Sequence, residues 1–164
     1  MAKCEIEAQV KHFVHHYLDL GACEFWYFAS PYSADDPATE QERVAAIDTI
    51  ILRILAEYPN VFPLTPVSYT ARYDETLKLP PIEFYKKDLI ALKKADRLIV
   101  CLLPGWEDSV GVQMEIRYAK QWGIPICYYH TTGEKAGKIL NFSKSIESIE
   151  VTDGTETDQK PMER

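Results

Sequence analysis

The chain has 164 residues, of which 46% are hydrophobic and 26% are charged, and its formal net charge is −7. This length and composition predict one globular domain with a sizeable core. The negative charge argues against a nucleic-acid partner and against binding to an anionic membrane surface. The four cysteines have no Cys-x-x-Cys spacing, which favours a reducing, cytoplasmic setting, and no stretch reaches transmembrane length.

An amphipathic helix is predicted over residues 5–20, where apolar side chains recur at helical spacing. His12 and His16 lie four residues apart, as helical metal ligands can. No acidic or cysteine partner lies at a fitting offset, so we interpret both as solvated and predict no metal site. Residues 1–20 are therefore expected to be an extension that packs on the sheet or on a second subunit.

The first strand is predicted at residues 25–29, which are rich in aromatic side chains. Thr39 and Glu42 have capping-box spacing and predict that a long helix begins there and runs to residue 57. The connecting loop is rich in hydroxyl groups, and Arg43 lies one turn into the helix. Such a loop is the usual anion site of open α/β sheets, the alternative being a proline-rich turn that only caps the helix.

A second strand is predicted at residues 61–66, and residues 67–81 then form a long loop rich in tyrosine and proline. Long loops in compact domains tend to be lids or binding loops, although a surface excursion fits equally well. The next helix, residues 82–95, places Asp88 on the same inward side as its apolar residues. Asp88 is therefore a candidate functional carboxylate, the alternative being a bond to a neighbouring loop.

The central unit is a strand at residues 97–103, a loop, a helix over 109–122 and a strand at 124–129. A helical wheel places Glu115 in the middle of the apolar arc, with the small Gly111 one turn before it. A carboxylate in that position must be paired, protonated or used in chemistry. The predicted helix therefore has room for a ligand beside Glu115, unless this residue is a structural glutamate tied to a backbone amide or an arginine.

Strands and helices alternate through the chain, which predicts a Rossmann-like (flavodoxin-like) α/β fold. We expect a three-layer sandwich around a central, mostly parallel sheet of about five strands, with its domain at residues 21–151. One more short helix or edge strand is predicted from residues 139–140 and 146–151. Residues 152–164 are polar and predict a disordered tail.

This order of elements resembles the nucleoside 2-deoxyribosyltransferase superfamily over about residues 24–130. Two segments carry the resemblance: residues 27–33 read YFASPYS and residues 103–115 read LPGWEDSVGVQME. The residues of these two segments are most similar to those of a bacterial and phage branch classed as a domain of unknown function. The resemblance implies that Glu115 is a nucleophile that attacks the anomeric carbon and expels the base. It implies further that Asp88 assists at the base or a sugar hydroxyl, and that Tyr27 stands beside the glutamate.

Ser109 lies six residues before Glu115, and it suggests a phosphorylated substrate. Superfamily 2′-deoxynucleoside 5′-phosphate N-hydrolases resemble this chain in having serine there, whereas transferases acting on unphosphorylated nucleosides tend to have aspartate. Serine adds a donor at a helix N-terminus, where aspartate would repel a phosphate. The resemblance places the rest of the phosphate cradle at Gly111, Ser30, Ser33 and Arg43, and the base at Trp106 and Tyr69.

The chain departs from the family pattern at two places. Arg117 stands where the family has a glycine, and residues 67–69 read VSY where the uncharacterised branch often has a histidine. This second departure leaves base selection open. Members of the superfamily are usually dimers or larger, so a homodimer or higher homo-oligomer is expected.

The predicted function is an N-glycosidase that hydrolyses the base–sugar bond of a (deoxy)nucleoside 5′-monophosphate, without a cofactor. Three alternatives stay open: a nucleoside deoxyribosyltransferase, a non-catalytic module that binds a nucleotide or an ADP-ribose-like ligand, and a structural domain in which Glu115 is merely paired.

Overall fold

The structure is a computed structural model, and it describes residues 3–18, 21–71, 73, 76 and 79–141. Five strands form one sheet, and in chain order they are β1 (Glu24–Ala29), β2 (Val61–Leu64), β3 (Arg97–Cys101), β4 (Ile126–Tyr129) and β5 (Ile139–Asn141). Their order across the sheet is β2-β1-β3-β4-β5. All neighbours pair in parallel except β5, which is antiparallel to β4.

The helices are α1 (Lys3–Phe13), α2 (Pro37–Glu57), α3 (Pro66–Thr70), α4 (Pro81–Leu92) and α5 (Val110–Trp122). A π-helical segment (Val14–Leu18) continues α1, and a 3-10 turn (Gly133–Lys135) precedes β5. No helix among the described residues combines the length and the apolar character that crossing a membrane requires.

Helices cover both faces of the sheet. On β1, Trp26 and Phe28 point to the face that packs against the isoleucines of α2. Tyr27 and Ala29 point to the opposite face, which packs against α4 and α5. This alternation is what the pleat of a strand imposes when both faces are buried. The predicted three-layer α/β fold with a mostly parallel sheet of five strands is confirmed.

The start of α2 differs from the prediction. Asp36 is the N-cap, because its carboxylate accepts hydrogen bonds from the backbone N–H groups of Ala38 at 3.2 Å and Thr39 at 3.1 Å. Pro37 then occupies the first helical position, where its missing N–H is not needed. The predicted capping box of Thr39 and Glu42 was therefore wrong, and the helix begins two residues before Thr39.

The loop predicted at residues 67–81 contains a helix. Strand β2 ends at Leu64, and Pro66 begins the short helix α3 after the extended Thr65. Proline favours a first helical turn and cannot donate to a strand ladder, which explains both changes. Helix α3 brings its residues to the carboxyl end of β1.

The two ends of the chain contribute little to the described core. None of the residues of α1 is buried. Residues 139–140, predicted as a short helix or edge strand, lie in β5. The predicted element at 146–151 and the predicted tail at 152–164 lie outside the described residues.

Candidate active site

A cavity of about 310 Å³ opens at the carboxyl ends of β1 and β3. Its volume lies at the lower end of the range for small-molecule sites. The chain leaves β1 toward one side of the sheet and β3 toward the other, and ligands of doubly wound folds bind at such a switch point. The lining comes from the end of β1 and its loop, from α3 and α4, and from the first turns of α5.

Glu115 projects from the buried side of α5 into this cavity and is only 7% exposed. Val112, Ile116 and Ala119 of the same helix pack on the sheet, so the helix cannot turn the carboxyl group toward solvent. The hydroxyl group of Tyr27 donates a hydrogen bond to Oε1 of Glu115 at 2.5 Å. Tyr27 is completely buried in β1. A phenol therefore holds this carboxyl group, not the backbone amide or arginine of the structural alternative.

Burial controls the protonation of this pair. The pKa of Glu115 is raised to about 8. Loss of hydration is the main cause, the hydrogen bond from Tyr27 acts in the opposite direction, and the nearby carboxyl group of Asp88 adds to the rise. Burial also raises the pKa of Tyr27 well above its usual range. Tyr27 thus keeps its proton and is the donor of the pair.

Asp88 lies half-buried on α4 and lines the same cavity. Burial raises the pKa of its carboxyl group to about 6, against the opposing charge of Lys87. Two carboxyl groups with raised pKa values in one cavity are the arrangement that acid–base and nucleophilic sites use. At neutral pH the pair of Asp88 and Glu115 holds about one proton.

The predicted phosphate ligands Ser109, Gly111, Ser30 and Ser33 all line this cavity. Ser109 is the N-cap of α5, and its Oγ accepts a hydrogen bond from the backbone N–H of Val112 at 3.4 Å. A Cβ atom at Gly111 would lie 3.5 Å from the ring of Tyr85, so the glycine lets that ring approach the helix closely. The hydroxyl group of Ser30 is buried and has no hydrogen-bond partner among the described residues.

Arg43 does not reach the cavity lining. Its guanidinium group donates hydrogen bonds to the backbone carbonyls of Tyr32 at 3.2 Å, Ser33 at 2.6 Å and Pro104 at 3.2 Å. These bonds join the loop after β1 to the loop after β3. The structure therefore places Arg43 behind the predicted phosphate cradle, where it connects the two loops that carry it.

The two predicted base-binding residues also lie away from the described lining. Trp106 packs edge-on against Tyr128, with ring centroids 6.1 Å apart. Tyr69 is 64% exposed, and its ring meets that of Tyr73 at 5.1 Å. The aromatic residues that do line the cavity include Tyr32, Phe84 and Tyr85.

Sequence reasoning missed those aromatic residues and Asp108 as parts of the site. Tyr85 lies three residues before Asp88 on α4, and an aromatic residue at that spacing is typical of core packing. Asp108 directly precedes Ser109, the N-cap of α5, where an aspartate is readily explained by the helix start alone. Among the described residues, no group of three or more histidine, cysteine, aspartate and glutamate side chains is arranged to hold a metal ion.

A family model described as "Domain of unknown function (DUF4406)" matches residues 70–128, a range that includes Asp88, Ser109 and Glu115. None of the curated proteins matches the chain significantly. A crystal structure of a conserved protein from Enterococcus faecalis is similar, with a TM-score of 0.55 and 20% identity over 69% of each chain.

Two further similar structures are 2-deoxyribosyltransferases. The one from Bacillus psychrosaccharolyticus has a TM-score of 0.45 and 21% identity, over 67% of this chain and 74% of that one. The one from Leishmania mexicana has a TM-score of 0.45 and 18% identity, over 73% of this chain and 79% of that one. The Enterococcus faecalis protein shares the fold, and the family model confirms, over residues 70–128, the predicted resemblance to a domain of unknown function.

Proposed function

We propose that the chain is an enzyme acting on N-glycosidic bonds, and specifically that it hydrolyses the base–sugar bond of a (deoxy)nucleoside 5′-monophosphate. The observation that carries the proposal is the position of Glu115. Its carboxyl group is buried, is held by Tyr27 and faces a cavity that a second carboxyl group, Asp88, also lines. A structural glutamate has no need of either the cavity or the second carboxyl group.

The proposed reaction has two displacements at the anomeric carbon. In the first, an oxygen of Glu115 bonds to C1′, the C1′–N bond breaks, and its electron pair goes to the base nitrogen, which takes a proton from Asp88. In the second, water attacks C1′ and gives a proton to the carboxylate of Asp88, and the ester to Glu115 breaks. Both carboxyl groups return to their starting states, as in retaining glycosidases.

The hydrogen bond from Tyr27 supports the first displacement. Attack requires ionised Glu115, which burial disfavours and the phenol donor favours. Because burial raises the pKa of Glu115 above that of Asp88, the form with ionised Glu115 and protonated Asp88 is a minor form of the empty enzyme at neutral pH. Positive charge that develops on the sugar in the transition state favours this form further.

The N-terminus of α5 supports a phosphate group on the substrate. Ser109 presents a hydroxyl group there, and the helix dipole favours an anion at that end. The hydroxyl group of Ser30, buried without a partner among the described residues, is a second donor on the same cavity.

We also propose that the protein is a cytoplasmic homodimer or higher homo-oligomer. Gel filtration coupled to light scattering tests the oligomeric state.

A chromatographic assay tests the proposal. The protein is incubated with ribo- and deoxynucleoside 5′-monophosphates and with the matching nucleosides, and free base is measured. We expect release from at least one monophosphate and slower release from its nucleoside. Faster cleavage of the nucleosides would overturn the phosphate part of the proposal.

Ser109→Asp is the matched variant for the phosphate. Aspartate is as good an N-cap as serine, so the helix keeps its start, while the new charge repels a phosphate. We expect turnover of the monophosphate to fall by about tenfold or more and turnover of the nucleoside to stay within about twofold. An equal effect on both substrates would indicate that Ser109 acts on the helix alone.

The same assay separates the alternatives. A deoxyribosyltransferase would form a new nucleoside or nucleotide when a second free base is added. A binding module would release no base from any member, although a ligand would raise the melting temperature. Either result would replace the hydrolase proposal.

A further inference from the structure

We infer that the leaving base of the preferred substrate carries a positive charge, as a pyridinium ring or a ring-alkylated purine does. This inference rests on the proposed function and names the chemical class of base that the same site takes.

The side chains on the described cavity wall that can carry a full charge at neutral pH are all carboxyl groups. Asp88 of α4, Asp108 before α5 and Glu115 within α5 all line it, and the described part of the lining contains no lysine, arginine or histidine. A sphere of 310 Å³ is about 8 Å across, which is close to the Debye length at physiological salt. A base anywhere in the cavity is therefore within electrostatic reach of a carboxyl group.

Two described cations close to lining residues, Arg43 and Lys87, donate to backbone carbonyls. The guanidinium group of Arg43 donates hydrogen bonds to the backbone carbonyls of Tyr32, Ser33 and Pro104. Lys87, the neighbour of Asp88, is exposed and donates to the carbonyl of Glu83 at 3.2 Å. Neither residue is a member of the described lining, and the charge of Lys87 only partly opposes the rise in the pKa of Asp88 that burial causes.

Aromatic side chains stand among these carboxyl groups. Phe84 and Tyr85 line the cavity from α4, and Tyr32 lines it from the loop after β1. The absence of a side chain at Gly111 lets the ring of Tyr85 lie against the first turn of α5. Aromatic rings next to carboxylates attract flat organic cations, through cation–π contact and through charge.

Ser30 provides an independent sign that a ligand binds in this cavity. The residue is 6% exposed, lines the cavity, and its hydroxyl oxygen has no partner among the described residues. Buried polar groups are nearly always hydrogen-bonded. A buried hydroxyl group with no protein partner among the described residues therefore indicates that a ligand supplies the hydrogen bond. The cavity is thus more than a cluster of acidic side chains.

The protonation states fit a cationic leaving group. When Glu115 attacks C1′ of such a substrate, the electron pair of the broken C1′–N bond enters the ring and cancels its charge. The base then leaves neutral and takes no proton. Asp88, whose pKa is about 6, is mostly ionised at neutral pH and is ready to accept the proton of the incoming water, which it then releases to solvent. A neutral base would instead depend on the small protonated fraction of Asp88.

Binding to the Glu115→Gln protein tests this inference without the bias of leaving-group reactivity. Two matched pairs of 5′-monophosphates are compared by calorimetry. The first pair is 7-methylguanosine 5′-monophosphate and guanosine 5′-monophosphate. The second pair is nicotinamide mononucleotide, whose ring is a cation, and its reduced form, whose dihydropyridine ring is neutral. We expect the cationic member to bind about tenfold more tightly or better. Equal binding, or no measurable binding of the cationic members, would overturn the inference.

Variants of the wall carboxyl groups, made in the Glu115→Gln protein, test whether these groups cause the preference for the cationic ligand. Asp108→Asn and, separately, Asp88→Asn are expected to reduce the preference by about threefold or more. Asp35→Asn, an exposed carboxylate outside the described lining, is the control and should leave it unchanged. A preference that survives both wall variants would contradict the inference.

The two proposals fail in different ways. In one outcome, the wild-type protein releases base equally well from neutral and from cationic monophosphates, and both members of each ligand pair bind equally. The glycosidase proposal then holds, and the inference of a cationic base is wrong. If the wild-type protein releases base from none of these compounds, the glycosidase itself falls.

Discussion

The hydroxyl group of Tyr27 donates to Oε1 of Glu115 at 2.5 Å, across 88 residues of chain. Both side chains are buried, so the bond connects the interior strand β1 directly to helix α5. It fixes the carboxyl group at the cavity and counteracts the rise in pKa that burial causes.

Tyr27→Phe removes this donor and is expected to raise the pKa of Glu115 further. The ionised fraction of Glu115 at pH 7 then falls. The rate of base release should fall by about tenfold for each unit by which this pKa rises. A pH–rate profile recorded with a substrate whose base is neutral should show the alkaline limb moving to higher pH. Tyr118→Phe, a partly buried tyrosine of α5 outside the described lining, is the control. An unchanged alkaline limb in Tyr27→Phe would contradict this role.

Glu115→Gln is expected to stabilise the fold in a pH-dependent way. The pKa of Glu115 is about 8 in the folded chain against a usual value of 4.5, so between those pH values the folded chain holds a proton that the unfolded chain has lost. Wild-type stability therefore falls as the pH rises through this window. Glutamine stays neutral and keeps an acceptor for Tyr27.

Thermal unfolding from pH 4 to pH 8.5 checks this prediction. The advantage of Glu115→Gln over the wild type should be near zero at pH 4 and reach a few kcal/mol above pH 8. Glu42→Gln, an exposed residue of α2, should show no such trend. A difference that is the same at every pH would mean that the carboxyl group is not protonated by burial.

Arg43 and Gly105 are expected to act as one unit. Gly105 has φ of +88°, and a Cβ atom there would lie 2.6 Å from Nη2 of Arg43. Arg43→Met leaves three loop carbonyls without their donor and should cost about 1–3 kcal/mol. Gly105→Ala should cost more in the wild type than in Arg43→Met, because the steric clash is absent from the second background.

Urea unfolding of the two single variants and the double variant measures this coupling. We expect the sum of the single effects to exceed the double effect by about 0.5 kcal/mol or more. Strict additivity would show that Gly105 is required for its backbone conformation alone, and not for the approach of Arg43.

The sequence was sufficient to predict the fold and the inward position of Glu115, because both depend on the local spacing of apolar residues. Strand-length apolar runs alternate with helical patterns, and the helical wheel of α5 places residue 115 among Val112, Ile116 and Ala119. The structure buries all four. The capping aspartate of α2 was missed because Thr39 with Glu42 and Asp36 with Pro37 are both good helix starts, and only tertiary context decides between them.

Other features of the site depend on contacts that no local pattern contains. The carbonyl of Pro104 lies 61 residues from Arg43, and it is presented by a loop that turns at Gly105 with positive φ. A cationic side chain near a hydroxyl-rich loop predicts an anion site. In this structure the guanidinium group of Arg43 is instead bound by backbone carbonyls. Trp106 was predicted to bind the base because of its aromatic ring. In the structure this ring packs against Tyr128 in the core.

The most direct measurement is base release by the wild type and by Glu115→Gln side by side, with intact-protein mass spectra of both during turnover. We expect release by the wild type, a covalent adduct of one sugar phosphate that maps to Glu115, and neither signal from Glu115→Gln. Base release that persists in Glu115→Gln would show that the carboxyl group of Glu115 is not the nucleophile, and would contradict the account at its centre.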